Sequence, residues 1–270
     1  MVICFVNARR LGTLLNLQSK KCMYNPFTLE GKTILVTGAS SGIGRATAIE
    51  CSKLGATVIV TARNEERLKA TLDALEGDGH QMILCELSNE ADLDILVTTL
   101  PEVQGVVNNA GFTQLLPVNF IKASAFEQLL KVNTVAPICL MQKLLKKKKL
   151  KAGASVVFTS SLAGLGYTTP GNSMYTASKG AISSFIKNAA LELASKQIRV
   201  NAVCPGMVNT GILDNGTVTH EQLELEMKNY PLGRYGEPNE IAWQIINLLS
   251  DASKWITGTN VIIDGGYSIR

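Results

Sequence analysis

Residues 33–55, TILVTGASSGIGRATAIECSKLG, form the stretch that decides the fold of this chain. The apolar run Thr33–Thr37 predicts a buried strand. Ile43–Leu54 follows with the periodicity of an amphipathic helix, and Gly55 closes that helix. Between them lies a turn rich in glycine, a residue that lets the backbone bend sharply and approach a ligand closely. A strand, a glycine turn and a helix in this order are typical of a βαβ unit.

The same alternation continues outward from this unit to the C-terminus. A second helix is opened by Asn64, a favoured N-cap residue. Further strands are predicted at Thr57–Ala62, Gln81–Leu87, Gly105–Asn108, Ser155–Ser160, Arg199–Val203 and Asn260–Ile263, and further helices near Glu90–Thr99, Ala125–Lys147, Met174–Ser195 and Glu240–Leu249. Strands joined by long helical connections pair in parallel, which predicts an α/β doubly wound parallel sheet of the Rossmann type. Ligands of such sheets bind beyond the carboxyl ends of the strands.

Composition limits the classes of function. The chain has 270 residues and a formal charge of +4, which suits one domain, 23–270. The only dense basic run, Lys146–Lys149, is interpreted as a solvated helix end rather than a nucleic-acid surface. No apolar stretch approaches the roughly 20 residues that span a bilayer, so no membrane role is expected. The six cysteines, without a Cys-x-x-Cys pair, favour reduced thiols in the cytoplasm, and no spacing predicts a metal site.

The first 22 residues differ from the rest because they contain Arg9, Arg10, Lys20 and Lys21 and no acid. Targeting peptides have this composition. The favoured alternative is an N-terminal extension, disordered or added by a wrongly assigned start, because Met23 begins a natural lead-in to the first strand. Either way, residues 1–22 take no part in the fold argument.

The glycine turn carries the first functional signal. Free N–H groups and the positive dipole end of the helix suit a pyrophosphate. The candidate cradle residues are Gly38, Ser40, Ser41, Gly42, Ile43 and Gly44. Their TGxxxGxG spacing resembles the short-chain dehydrogenase/reductase family, and the resemblance extends from about Leu29 to the C-terminus. It implies a nicotinamide dinucleotide as cofactor.

The second strand indicates which nicotinamide cofactor is preferred. Ala62 stands where NAD-preferring members of the family resemble one another in carrying Asp, and Arg63 follows it. An arginine pairs well with a 2′-phosphate, which predicts NADP(H), with Ser41 or Arg45 as further candidates. By resemblance, Glu86 and Leu87 contact the adenine, although the family usually has Asp at the first position. Asn109, Ala110 and Gly111 resemble the NNAG element that braces the sheet and lines the cleft.

The catalytic candidates come from three distant stretches. Tyr175 and Lys179 are four residues apart, which places both side chains on one helix face. A phenol has a pKa of about 10, and a nearby ammonium is expected to lower that value so that Tyr175 can exchange a proton. The family resemblance implies that Ser161, rather than the adjacent Ser160, contacts the substrate oxygen. It also implies that Asn133 holds a water that relays protons to Lys179.

The C-terminal third resembles the family in its nicotinamide-binding turn and its tail. Pro205, Gly206, Val208 and Thr210 are the candidate cofactor residues there, followed by a substrate lid at about 208–232 that is helical around Glu221–Met227. The resemblance also implies a homotetramer, built through the fourth-to-fifth helices and the last strand.

The family resemblance implies a small-molecule carbonyl or alcohol as the substrate. The chain resembles β-ketoacyl-[acyl carrier protein] reductases, which favours a 3-oxoacyl thioester on a carrier protein, with Lys149, Lys151 and Lys196 near the bases that those enzymes present to the carrier. Steroid, sugar and xenobiotic carbonyl reductases share the same motifs and stay open, as does a non-catalytic NADP(H)-binding regulator or scaffold. Serine hydrolysis is set aside because neither His80 nor His220 has the pattern of a base for Ser161.

Overall fold

The computed structural model describes residues 24–210 and 225–270. The N-terminal extension, His220 and residues 211–224 of the expected lid, with the start of the helix expected at Glu221–Met227, lie outside the described residues. The strands are β1 (Thr33–Thr37), β2 (Thr57–Ala62), β3 (Gln81–Leu84), β4 (Val103–Asn108), β5 (Leu150–Thr159), β6 (Arg199–Pro205) and β7 (Asn260–Ile263). In the described residues they form one parallel sheet in the order β3-β2-β1-β4-β5-β6-β7. The predicted doubly wound α/β fold is therefore confirmed.

Helices cover both faces of this sheet. They are α1 (Gly42–Lys53), α2 (Glu65–Leu72), α3 (Glu90–Thr99), α4 (Ala123–Leu130), α5 (Ala136–Lys146), α6 (Ser173–Leu193) and α7 (Pro238–Leu249). One buried cluster packs α3, α5 and α6 on the sheet, and the other packs α1, α2 and α7 on the opposite face. Asn64 caps α2 as expected, because its side chain accepts from Arg67 N at 2.8 Å. No described helix is long and apolar enough to cross a membrane.

The expectation of one continuous helix over Ala125–Lys147 was wrong. The structure has α4 and α5 separated by a π-helical segment, Lys131–Val135. Asn133 lies in this segment, 1% exposed, and its side chain exchanges two hydrogen bonds with the backbone of Phe112. π-helical turns inside α-helices concentrate at functional sites. This segment therefore places a buried amide against the backbone of the loop that follows β4.

The expected strand Gln81–Leu87 was too long, since β3 ends at Leu84. Cys85 N still donates to Ala62 O at 3.1 Å, but the next N–H, that of Glu86, donates to the Asp92 carboxylate at 3.0 Å. The chain consequently leaves the sheet edge and turns toward the cleft at Glu86.

Candidate active site

The glycine turn between β1 and α1 fits a dinucleotide. Gly38 and Gly42 have left-handed φ values of +63° and +51°, which glycine adopts without strain. A Cβ at Gly38 would lie 2.8 Å from Ala110 Cα, and one at Gly44 would collide with Gly38 O. Backbone therefore packs against backbone at Gly38 and Gly44. Because α1 begins at Gly42, its first N–H groups face out of the helix toward any bound pyrophosphate.

Asn109 joins the cradle to the centre of the sheet. Its side-chain Nδ2 donates to Thr37 O at 3.3 Å and Gly38 O at 3.4 Å, while its Oδ1 accepts from Thr159 Oγ1 at 3.2 Å. Thr37 Oγ1 in turn accepts the N–H groups of Asn109 and Ala110. The bracing role that the resemblance implied for residues 108–111 thus rests on Asn109. The buried side chain of Asn108 has no hydrogen-bond partner within the described residues.

Arg63 and Glu86, expected to bind separate parts of the cofactor, form an ion pair. Arg63 Nη1 lies 3.1 Å from Glu86 Oε2, and the Arg63 side chain is 73% exposed. The other carboxylate oxygen of Glu86 accepts from Ser88 Oγ at 2.7 Å and from Ser88 N at 3.1 Å. Burial opposes ionisation of Glu86, but these bonds and Arg63 hold its pKa below the usual value. A negative charge therefore stands beside the arginine that the sequence assigned to a phosphate.

Ser161 and Tyr175 are brought together by the end of β5 and the start of α6. The Ser161 side chain contacts the Tyr175 phenol and acts to lower the pKa of that phenol, while Ser161 Oγ accepts from Ala163 N at 3.2 Å. Burial nevertheless raises the pKa of Tyr175 above its ordinary value. The expected lowering by Lys179 was wrong for this structure, because the Lys179 ammonium lies 5.7 Å from the ring centroid and donates to Thr159 O at 2.7 Å. The phenol consequently keeps its proton at neutral pH.

Lys179 is 4% exposed, and burial lowers its pKa to about 8. A Cβ at Gly111 would lie 3.1 Å from Asn133 Oδ1 and 3.4 Å from Lys179 Nζ, so these three residues meet. Asn133 Nδ2 also donates at 3.2 Å to Ser178 Oγ, on the turn of α6 between Tyr175 and Lys179. The structure therefore collects all four catalytic candidates at one place, although they come from three separate elements.

The turn after β6 faces the cradle. A Cβ at Gly42 would lie 3.1 Å from Thr210 Cγ2, which sets the two predicted cofactor segments side by side. Met207 N donates to the Tyr230 hydroxyl at 3.0 Å, and a Cβ at Gly206 would lie 3.3 Å from the Tyr230 ring. Sequence reasoning missed this role of Tyr230, because the residue falls in the segment that was expected to be a polar lid.

The described residues give no support to serine hydrolysis with a histidine as the base for Ser161. His80 Nδ1 accepts from Val58 N at 3.0 Å and Nε2 contacts Glu76 O at 2.9 Å, at the amino end of β2. Both ring nitrogens are used there, far from the carboxyl end where Ser161 lies. Within residues 24–210 and 225–270, no group of three potential metal ligands comes together.

Comparison with known proteins decides the family. A family model described as enoyl-(acyl carrier protein) reductase matches residues 38–268, from the glycine cradle to the C-terminal tail. The chain belongs to the short-chain dehydrogenase/reductase family. As a member of this family it is an oxidoreductase that acts on CH–OH/C=O groups and binds a nicotinamide cofactor.

Several members of the short-chain dehydrogenase/reductase family resemble the chain over most of its length. The 3-oxoacyl-[acyl-carrier-protein] reductase FabG of Rickettsia prowazekii is 34% identical over 238 residues, which cover 88% of this chain and 97% of that protein. A tropinone reductase homolog of Arabidopsis thaliana is 36% identical over 252 residues, which cover 90% and 93%. Among solved structures, the Pseudomonas aeruginosa RhlG/NADP active-site complex is 30% identical, covers 92% of this chain and 100% of that chain, and has a TM-score of 0.85.

Proposed function

We propose that the chain is an NADPH-dependent ketone reductase in which Tyr175 is the general acid. The observation that carries this proposal is the side-chain contact between Ser161 and Tyr175, next to the buried Lys179. Both hydroxyls can reach one substrate oxygen, and the raised pKa of Tyr175 suits a group that must hold a proton to give. Reduction, rather than oxidation, is therefore the proposed direction at neutral pH.

The nicotinamide, when bound, supplies the hydride to the carbonyl carbon. As the carbonyl π bond breaks, negative charge grows on the oxygen, where the Ser161 hydroxyl stabilises it by a hydrogen bond. The Tyr175 O–H bond then breaks, and its proton passes to that oxygen to complete the alcohol. Lys179 carries the positive charge that stabilises the phenolate left behind, and Asn133 is proposed to hold a water through which the proton is replaced.

The preference for NADP(H) over NAD(H) is proposed to rest on Arg63. The ion pair with Glu86 uses one of the three guanidinium nitrogens. A guanidinium can bind a phosphate through two parallel bonds, and β2 ends in Ala62, which has no carboxylate to repel the 2′-phosphate on the ribose side. The RhlG structure, described as an NADP complex, supports the same choice.

The proposed substrate is an apolar ketone, with a 3-oxoacyl thioester as the leading candidate. The loop after β4 and the loop after β5 flank the catalytic hydroxyls. They are joined by the hydrogen bond from Leu116 N to Gly171 O at 2.8 Å. Their exposed large side chains are Leu115, Val118, Phe120 and Tyr167. An apolar rim at the cleft favours an acyl chain over a sugar. The FabG relatives support the thioester.

The proposed carrier-protein contact does not rest on the lysines singled out in the sequence. Lys149 and Lys151 flank the amino end of β5, and Lys196 precedes β6. Because β4 alongside them spans roughly 17 Å, these lysines lie about 20 Å or more from Ser161. A carrier that delivers its substrate must therefore dock at the opposite, carboxyl edge of the sheet, beside the apolar rim.

Assembly and location are also proposed from the family resemblance. β7 forms an edge of the sheet and exposes Ile262, and α7 exposes Trp243, which supports contact between subunits of a homotetramer. The four described cysteines are free thiols, which supports a cytoplasmic location. Light scattering of the full-length chain would give the mass that tests the tetramer.

The experiment that tests the function is a spectrophotometric panel that follows NADPH oxidation with matched ketones. We expect an acetoacetyl or longer 3-oxoacyl thioester to be reduced with a kcat/KM at least about tenfold above that of a polar keto sugar. Faster reduction of the keto sugar would reject the apolar substrate class. Tight NADPH binding without turnover on any ketone would reject the enzyme in favour of a cofactor-binding regulator.

A further inference from the structure

Three consecutive residues at the end of β5 contact three different parts of α6. Thr159 O accepts from Lys179 Nζ at 2.7 Å, and the Ser161 side chain contacts the Tyr175 phenol. Between them, Ser160 Oγ donates to the backbone carbonyl of Lys179 at 3.1 Å. The first and third contacts hold side chains, whereas the middle one holds the helix backbone itself.

The direction of the Ser160 bonds follows from hydrogen counting. Ser160 Oγ also lies 2.9 Å from Ser183 Oγ. With the Ser160 hydrogen directed to Lys179 O, the Ser183 hydroxyl is free to donate in their mutual contact. The Cys204 thiol lies beside both hydroxyls. Ser160 is 2% exposed and its N–H donates to Val203 O at 2.8 Å. Its side chain is therefore committed inward and cannot contact substrate.

Gly164 shows how closely the chain approaches α6 at this point. A Cβ there would lie 2.7 Å from both the C and the O atom of Lys179 and 2.8 Å from Ser160 Oγ. Real Cβ atoms do not approach backbone so closely, so the loop after β5 can pack here only as glycine. The contact between Ser160 and the Lys179 carbonyl is consequently packed against Gly164.

The next turn of α6, at Ser183, is bonded to residues of β6 and β7. Asn260 Nδ2, at the start of β7, donates to Ser183 O at 3.1 Å, and Asn260 Oδ1 accepts from Cys204 Sγ at 3.6 Å. The turn at Ser183 thus stays anchored to β6 and β7 without help from Ser160. Only the turn at Lys179 depends on Ser160 for a side-chain tie between β5 and the helix backbone.

We propose that Ser160 is a positioning residue, whose bond to the Lys179 carbonyl keeps Lys179 and Tyr175 in register with Ser161. This inference rests on the proposed function, because it assigns a role toward the proposed proton donor. Without the bond, the first turns of α6 can shift relative to β5, and Lys179 Nζ and the Tyr175 hydroxyl move together away from Ser161.

The test compares Ser160→Ala with Ser183→Ala in the full-length enzyme. Each variant removes one oxygen from the same 2.9 Å contact, and the two side chains lose equal volume. Only Ser160→Ala cuts the tie to β5, because in Ser183→Ala the Ser160 hydroxyl still donates to Lys179 O. The fold should tolerate both changes, since in Ser160→Ala the Ser183 hydroxyl can donate to the carbonyl four residues before it, that of Lys179.

We expect Ser160→Ala to lower kcat for ketone reduction about tenfold, and Ser183→Ala to change it by less than about twofold, consistent with the loss of one positioning contact. The dissociation constant for NADPH should change little in either variant. Reduction needs the charged Lys179 to stabilise the phenolate, so its rate falls as pH rises through the Lys179 pKa of about 8, which burial holds below the ordinary value. A displaced and less buried Lys179 has a higher pKa, so this fall should shift to higher pH in Ser160→Ala alone.

The pH profile separates positioning from packing. Equal losses in both variants without a shifted profile would mean that the serines only fill space, and the inference would be overturned. Unchanged kinetics in Ser160→Ala would overturn it as well. In both cases an inactive Tyr175→Phe would leave the proposed function standing, whereas an active Tyr175→Phe would remove the proposed function and this inference together.

Discussion

The ends of β5 and β2 both present polar side chains to the same edge of the sheet, but they hold them in different ways. At the end of β5, Lys179 and Ser160 are almost fully buried and bonded to backbone atoms. At the end of β2, Arg63 is largely exposed and pairs with the carboxylate of Glu86. The residues proposed to carry out the reaction thus lie at the buried end of β5, whereas the residue proposed to select the cofactor lies at the exposed end of β2.

This difference has an energetic consequence. Charges in a buried, low-dielectric site interact strongly and are costly to keep, whereas exposed pairs are screened by water and salt. Changes at the β5 end should therefore alter rate and stability by large factors. Changes at the β2 end should alter selectivity by small factors and leave stability alone.

The largest effect is expected for Tyr175→Phe. Loss of the proton donor should lower kcat roughly 1000-fold, within the range typical of general acids. The NADPH dissociation constant, measured by fluorescence titration, should stay within about twofold. A Tyr175→Phe variant that keeps more than about a tenth of the wild-type activity would show that Tyr175 is not the proton donor.

Lys179→Met should abolish most activity and yet stabilise the fold. The folded-state pKa of Lys179 is about 8, below that of an unfolded lysine at about 10.4, so at pH 7 the folded chain holds a buried charge. Its removal should raise Tm by about 2–4 °C. As pH rises from 8 toward 10, the wild-type lysine loses its proton only in the folded state, so the wild type gains stability and the difference should shrink.

The check on this prediction is calorimetry at pH 7 and pH 9.5. Arg63→Met, which removes an exposed charge of the same sign, should leave Tm within about 1 °C. A Tm for Lys179→Met below that of the wild type at pH 7 would mean that the bond to Thr159 O outweighs the cost of burial.

Arg63→Ala should raise the KM for NADPH about tenfold, which corresponds to the loss of one charge-assisted contact of about 1.4 kcal/mol. The KM for NADH should change by less than about twofold. Lys151→Ala removes an equal charge at the opposite edge of the sheet and should alter neither value. An equal rise for both cofactors would show that Arg63 contacts a part that they share.

The smallest effect is expected for Glu86→Gln. Removing the carboxylate relieves its repulsion of a 2′-phosphate, which at an exposed site is on the order of 0.5 kcal/mol, so the preference for NADPH over NADH should rise about twofold. Any adenine contact is common to both cofactors and cancels in this ratio. A lower ratio would instead mean that Glu86 orients Arg63 for the phosphate.

The comparison also explains what could be predicted from the sequence. Strand positions and the Tyr175–Lys179 pair follow from local periodicity, and Ser161 follows from the family motif. Arg63 follows β2 and Glu86 follows β3. The sequence gives no signal for the turn that brings the Glu86 carboxylate to Arg63. The inward direction of Ser160 depends on packing against Gly164, which the motif does not show.

The break between α4 and α5 was missed for a related reason. The apolar periodicity of residues 125–147 continues through the π-helical segment, so the pattern indicates a single helix. What disrupts the regular ladder is Asn133, whose amide bonds to Phe112 in a loop that is distant in sequence. Local propensity cannot reveal a partner that only the folded chain brings near.

That π-helical segment lets α4 and α5 keep a common register although the chain between them carries an additional residue. A π-helical turn holds about one residue more than an α-helical turn, so deleting one residue between 131 and 135 would convert the segment into regular α-helix. Leu140 and Leu144 would then stay buried against the sheet, whereas the Asn133 amide would lose its place against the backbone of Phe112. The fold should therefore tolerate a single-residue deletion here better than one inside α5, where each residue turns the helix by about 100°.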